Sequence, residues 1–406
     1  MYKFNRNYLK TARKPVLLSV ATLFWVSMYT YPAILSPYLV ELGASMTFIG
    51  FVISSYGLAQ LIIRLPVGIL SDRLHNKRLF IIIGIALSFI SATGLYLFHQ
   101  VGLILLFRAL AGAAAAMWVH ITTLYLSYHS SAESAEAMGK MSFGNNFGMM
   151  IAILSGSFLA DKYGWESAFF LAALVAGIAL ILSFTVQEDQ PDPTNSIDPP
   201  PGLNELLQLR HDRMLLWTSI LALLSQIVIY ATVQGFVPQY AELLGASKSD
   251  IGMLTALSIL PRAVAGLLGG IFLARWFNLK TLIFIGFLLV GFATCSLPLI
   301  NNLPGLYVCQ FVAGIGIGLQ AALLLALATQ TVANNRKASA MGIYQAIYGI
   351  GMVIGPTLIG FVADIFDLKT GFVLVGIISL IGAFLVLIFL ENQPSKRSFT
   401  AQRAAD

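Results

Sequence analysis

The densest run of ionisable side chains in this 406-residue chain is Gly68–Arg78, GILSDRLHNKR. Asp72, Arg73, His75, Lys77 and Arg78 crowd a short stretch between two long apolar segments, about Met46–Leu70 and Leu79–Phe98. Elsewhere, the ionisable groups inside apolar segments are Arg64, Arg108, Arg262 and His120. Charges in such surroundings are costly and mark function by default. No Asp or Glu lies inside such a segment; Glu41, Asp161 and Asp364 sit near segment ends. The interior is therefore basic, and a cationic ligand would find no fixed anion there. The expected substrate is a neutral, zwitterionic or anionic organic molecule.

Each of these groups has two readings. Arg108, Arg64 and Arg262 can face a ligand or bond backbone and polar neighbours, and Arg64 can also snorkel. Arg262 follows Pro261, which removes a helix hydrogen bond. His120 can carry a coupling proton near neutral pH or be a hydrogen-bonded structural histidine. Arg108 and His120 are about 18 Å and 120° apart on one helix, too far to share a small ligand head-on. Around them, Trp25, Tyr29, Asn145, Asn146, Gln226, Tyr230, Gln234, Gln310, Gln320, Tyr344 and Gln345 form a polar and aromatic set suited to an amphipathic organic ligand. Individually, each fits an inter-helix hydrogen bond as well.

No chemistry beyond binding is indicated. A membrane-embedded enzyme needs paired carboxylates, metal-spaced histidines or a Ser/His/Asp group at one depth. His75, His99, His120, His129 and His211 are scattered, and HExxH is absent. No catalytic residue, metal site or cofactor is expected. The phosphate loop of an ATP-driven pump is missing. Cys295 and Cys309 make no metal or redox motif and read as small buried thiols, with a disulfide as the alternative.

The elements that must position these residues follow from composition. Hydrophobic residues make up 58% and charged residues 10%, with mean hydropathy +0.82. Soluble domains carry roughly 25% charge. Runs of about 20 apolar residues read as transmembrane helices. Twelve are expected: about Pro15–Val40, Thr47–Leu70, Arg78–Phe98, Val101–Ser127, Ala137–Ala160, Trp165–Val186, Met214–Leu243, Asp250–Trp276, Leu279–Ile300, Leu303–Thr331, Ala338–Ala363 and Thr370–Leu390. The fold class is an all-α polytopic membrane protein whose partner is the lipid bilayer. Gln187–Asp212, rich in Pro and acids, reads as a linker with a short interfacial helix at Leu203–Leu209. The domains are then residues 1–186, a linker 187–212, and 213–406. About 18 of the 24 Lys and Arg fall on the side of the termini. The positive-inside rule puts both termini, the charged loop and the linker in the cytoplasm, and the net charge of +6 reflects those loops rather than nucleic acid.

The two halves also repeat. A shift of 202 residues lays Tyr38, Leu42–Ser45 and Ile49-Gly50 on Tyr240, Leu244–Ser247 and Ile251-Gly252. It lays Gly68, Arg73, Asn76, Gly84 and Gly112 on Gly270, Arg275, Asn278, Gly286 and Gly314. After one slipped residue, Ala137-Met138-Gly139 and Ala160-Asp161 meet Ala340-Met341-Gly342 and Ala363-Asp364. Two parallel six-helix bundles that rock about a site at mid-membrane are a transporter layout.

GILSDRLHNKR resembles the cytoplasmic loop signature of the major facilitator superfamily, Gly-x-x-x-Asp-Arg-x-Gly-Arg-Arg. Gly68, Asp72, Arg73 and Lys77 match; His75 and Asn76 depart, though both tolerate positive φ. The resemblance covers essentially the whole chain and implies a monomeric secondary transporter of the cell membrane working by alternating access. It implies no cofactor, and drive by an ion or solute gradient, protons among the candidates. In that family the loop acid latches the two halves against a helix N-terminus when the site faces outward. Carried over, Asp72 is the latch and Gly68, Arg73, Lys77 and Arg78 its support; the bland alternative is that the cations only set topology. The second copy has Ala274 in place of the acid. Helix 5 lacks the Gly-Pro pair of proton-driven exporters, and Gly355-Pro356 stands in helix 11 instead. The expected function is an efflux-type permease for a small organic solute. The alternatives are uptake of an anionic or neutral metabolite, or a non-transporting sensor on the same fold.

Overall fold

The structure is a computed structural model and describes residues 2–74, 76–130, 133–188, 212–330, 332 and 336–390. Among these residues there is no strand. Twelve helices are long and apolar enough to cross a membrane. They are α1 (Arg13–Glu41), α2 (Met46–Gly68), α3 (Lys77–Leu97), α4 (Val101–Ser127), α5 (Glu136–Tyr163) and α6 (Trp165–Ser183). The second set is α7 (Arg213–Leu243), α8 (Lys248–Leu268), α9 (Leu279–Leu299), α10 (Leu303–Ala328), α11 (Ala340–Ile365) and α12 (Leu368–Phe389). The expected all-α class and helix count hold. The expected Leu203–Leu209 helix and His75 lie outside the described residues.

Helix ends follow local chemistry. Gly43 and Gly245 take φ of +78° and +85°, closing the matching turns after α1 and α7. Ser247 and Asp250 form a reciprocal capping box at α8. The side chains of Asn76, Asn278 and Asn302 accept backbone N–H groups at the starts of α3, α9 and α10. Asp367 does the same for Thr370. Hydrogen bonds from Thr370 hold its carboxyl below the usual carboxylate range.

The charged loop is shorter than the sequence suggests. The helix of α2 does not end near Leu70 but runs on to Leu74, because Ser71–Leu74 contains no breaker. Gly68 is thus helical, not part of a turn. Asn76 has φ −136° rather than a positive value; it works as the cap of α3.

Among the described residues, the first, fourth and seventh spans are irregular away from their ends. The first span breaks at Thr30–Tyr31, and the seventh passes through a π turn at Thr232–Phe236, the positions 202 residues on. In each, a threonine hydroxyl donates one turn back, Thr30 to the Val26 carbonyl and Thr232 to the Val228 carbonyl, both at 2.7 Å. Such back-bonding bends helices. The fourth span breaks at Met117. α8, in contrast, continues through Pro261, and its irregular turn comes later, at Gly269–Leu273.

The described residues fall into two compact units, Met1–Tyr38 with Ser55–Pro200 and Leu39–Ser54 with Pro201–Asp406. The repeat is visible in the packing of each. A Cβ on Gly112 would lie 2.1 Å from the Tyr56 carbonyl oxygen, and one on Gly314 2.4 Å from that of Ser258. Gly156 lets α5 approach the Thr30 carbonyl of α1, as Gly355 lets α11 approach Ile227 of α7. The first half of α2 packs in the second unit, with Gly50 against the Pro356 carbonyl and Ser54 donating to the Val353 carbonyl at 2.7 Å. Cys295 and Cys309 are free thiols, and Cys309 points at the Ala293 carbonyl, 3.0 Å away.

Gly112→Ala should destabilise the protein by about 1–3 kcal/mol, because the methyl meets backbone that cannot yield. Gly139→Ala, with open space at its Cβ position, should be neutral or stabilising by up to about 1 kcal/mol through helix propensity. Thermal unfolding in detergent separates the two outcomes.

Candidate functional site

In the second unit, α7, α10 and α11 enclose a cavity of about 190 Å³. Gln226, Tyr344 and Gln345 line it, as expected, together with Ser225, Met341 and Tyr348. α7 contributes adjacent polar residues because its Leu-Ser-Gln-Ile stretch interrupts an apolar run. α11 contributes Tyr344 and Tyr348, one turn apart on one face, with ring centroids 5.8 Å apart in an edge-to-face arrangement. Ser225 donates to the side-chain oxygen of fully buried Gln320 at 2.6 Å. That bond pins Gln320 behind the cavity wall and leaves its amide nitrogen without a partner among the described residues. No lining residue carries a charge.

The other predicted residues go elsewhere. Tyr230, Gln234 and Arg262 are half-buried and Gln310 is buried, but none lines this cavity. In the first unit Arg108 is buried and donates to the Tyr31 hydroxyl at 3.2 Å. Its guanidinium also lies 4.4 Å from the centre of the Tyr56 ring. Its charge is thus taken up by aromatic faces. His120 stacks on Phe80 at 5.0 Å, and its Nδ1 faces the Met117 carbonyl at 3.1 Å. That carbonyl, at the helix break, also accepts the His120 backbone N–H at 3.0 Å. Trp25 joins Tyr29 and Trp118 in an aromatic cluster, with centroids 5.6 and 5.1 Å away. The Asn146 amide folds back onto the Ser142 carbonyl at 2.8 Å. Asn145 has a buried oxygen with no partner among the described residues. Arg64 is half-buried near the end of α2.

At the charged loop, the side chains of Asp72 and Arg73 lie outside the described residues. What the structure shows there is a different acid. Glu188 accepts the backbone N–H groups of Lys77 and Arg78 at 3.1 and 2.8 Å, so its carboxylate caps α3. The Arg78 side chain donates to the Phe184 carbonyl at 2.7 Å, at the end of α6. Arg13 of α1 donates to the Gln187 side chain at 2.8 Å, and the Tyr128 hydroxyl to the Gln187 carbonyl. Gln187 and Glu188, read from sequence as the start of the linker, therefore tie together the ends of α1, α3, α4 and α6. A second carboxylate works likewise in the second unit: Asp364 accepts the N–H groups of Met46 and Thr47 at 2.9 and 2.8 Å. Sequence alone offered only the proximity of Glu188 to a helix end.

The family model described as Major Facilitator Superfamily matches residues 16–247 and 226–405. The chain belongs to the Major Facilitator Superfamily. An uncharacterised MFS-type transporter of Methanocaldococcus jannaschii is 24% identical over 91% of this chain and 97% of its own length. Quinolone resistance protein NorA of Staphylococcus aureus is 24% identical over 89% of this chain and 92% of its own. Among solved structures, the nucleoside transporter NupG matches with a TM-score of 0.76 at 16% identity, over 94% of this chain and 99% of NupG. An inward-facing bacterial homologue of the human lysosomal transporter Spinster matches with a TM-score of 0.74 at 17% identity, over 97% of each chain. These structures share the fold. For this superfamily member, a neutral cavity between three helices has room for a small solute.

Glu188→Ala should cost about 0.5–2 kcal/mol, the usual loss of a helix cap. Glu188→Gln should cost less. Hydrogen exchange at the Lys77 and Arg78 amides should accelerate in the alanine variant, read by mass spectrometry in detergent.

Proposed function

We propose that this superfamily member is a secondary transporter of the efflux type, moving a small organic solute across the cell membrane by alternating access. The observation that carries the reading is the cavity between α7, α10 and α11, lined by Gln226, Tyr344 and Gln345. It is large enough for a small solute and has both apolar wall and hydrogen-bonding groups. The efflux direction rests on similarity to NorA, a quinolone resistance protein. Uptake of a neutral or anionic metabolite is the second reading, favoured by the lack of a carboxylate at mid-span.

In this proposal both termini and the charged loop are cytoplasmic, since most Lys and Arg lie on that side. The protein acts as a monomer, without a cofactor, and an ion or solute gradient drives it. Asp72 is the latch, and Gly68, Arg73, Lys77 and Arg78 support it. The capping of α3 by Glu188 gives Lys77 and Arg78 a structural duty as well. Reconstitution into proteoliposomes, with and without a pH gradient, over cationic, neutral and anionic compounds tests the reading. Saturable flux of a neutral or anionic compound is expected; flux of cations alone, or of nothing, overturns it.

Asp72→Asn should abolish flux while leaving substrate affinity within about twofold. Full transport by that variant would remove the latch from the mechanism.

A further inference from the structure

We infer that the cavity of the second unit takes an uncharged planar ring compound of one or two rings, bearing hydrogen-bonding groups. This narrows the proposed transport function and rests on it. Three observations support the class. The first is size. A cavity of about 190 Å³ is somewhat larger than the roughly 150 Å³ void that accepts benzene. The second is shape and surface. Tyr344 and Tyr348 set two ring faces at an angle on one wall, and Met341 adds a polarisable, adaptable side chain beside them. Aromatic ligands gain from offset or edge-to-face contact with such walls.

The third observation is the polar inventory. The lining offers amides at Gln226 and Gln345, a hydroxyl at Ser225 and phenols at Tyr344 and Tyr348. The Ser225 proton is committed to Gln320, so toward the cavity this hydroxyl accepts. A ligand N–H or O–H matches it. All these groups are neutral. A formally charged ligand would give up its hydration here without meeting a counter-ion, which is strongly unfavourable. Arg262, the cation inside a span of this unit, is absent from the lining. Of the neutral, zwitterionic and anionic substrates that a basic interior admits, the neutral class is the one this cavity suits.

The test uses three probes with one ring system: neutral indole-3-acetamide, anionic indole-3-acetate and cationic tryptamine. Binding to the purified full chain in detergent is measured by titration calorimetry, and flux of the same three in proteoliposomes. The neutral probe should bind at least tenfold more tightly than either charged one. Tyr344→Leu should weaken it at least tenfold, and Gln226→Met, which keeps the side-chain length, should weaken it severalfold. Should Tyr344→Leu not fold, the Gln226→Met result decides. Equal or tighter binding of a charged probe, no saturable binding of the neutral one, or no effect of Gln226→Met overturns the ligand class. Flux of the anionic probe in that case leaves the transporter reading standing. Tight binding of the neutral probe without flux of any compound overturns the transporter reading and keeps the ligand class.

Discussion

Helices in hydrocarbon cannot gain stability by leaving water, so they must approach closely enough for dispersion and backbone contacts to hold them. That constraint explains the most regular feature of this protein. Gly112 on Tyr56 and Gly314 on Ser258 are the same contact made twice, 202 residues apart. Gly156 on Thr30 and Gly355 on Ile227 bring the fifth helix of each bundle onto its first. At each point the partner is a carbonyl of the neighbouring helix, where a side chain would leave no room. At Gly112 and Gly314 the doubled sequence and the doubled contact coincide.

Close packing of regular helices leaves nowhere for a polar group to act, so the irregular turns matter. At Thr30–Tyr31 the break in α1 places the Tyr31 hydroxyl within reach of Arg108. At Met117 the break in α4 leaves a carbonyl that faces both the backbone N–H and the ring Nδ1 of His120. The π turn at Thr232–Phe236 interrupts α7 about two turns beyond Ser225 and Gln226.

Much of this is legible in the sequence and some of it is not. Helix count and the twofold repeat follow from apolar run length and matching loop residues, while the caps at Asn76 and Asn278 appear only in the structure. Three of the predicted cavity residues, Gln226, Tyr344 and Gln345, do share a cavity. Tyr230, Gln234, Arg262 and Gln310 do not line it, because one-dimensional polarity does not say which side of a helix faces a cavity. The end of α2 is misread for a related reason. Charged residues suggest a loop, yet Ser71–Leu74 simply extends the helix until Asn76 caps the next one. Glu188 is hidden by composition, since it opens a Pro-rich acidic stretch that reads as linker.

The charges carry the more general lesson. Counting cations inside spans gives a basic interior and, from that, a neutral, zwitterionic or anionic substrate. A cation bears on that reading only as far as its charge lacks a partner built from the same bundle. Arg108 faces the Tyr56 ring and bonds the Tyr31 hydroxyl, so an incoming anion would have to displace contacts rather than fill a vacancy. The cavity of the second unit is lined instead with amides, phenols and one hydroxyl. On the proposal made above, desolvation there disfavours charge of either sign. A charge count registers the Arg108 contacts of one unit and misses the neutral groups that line the cavity of the other.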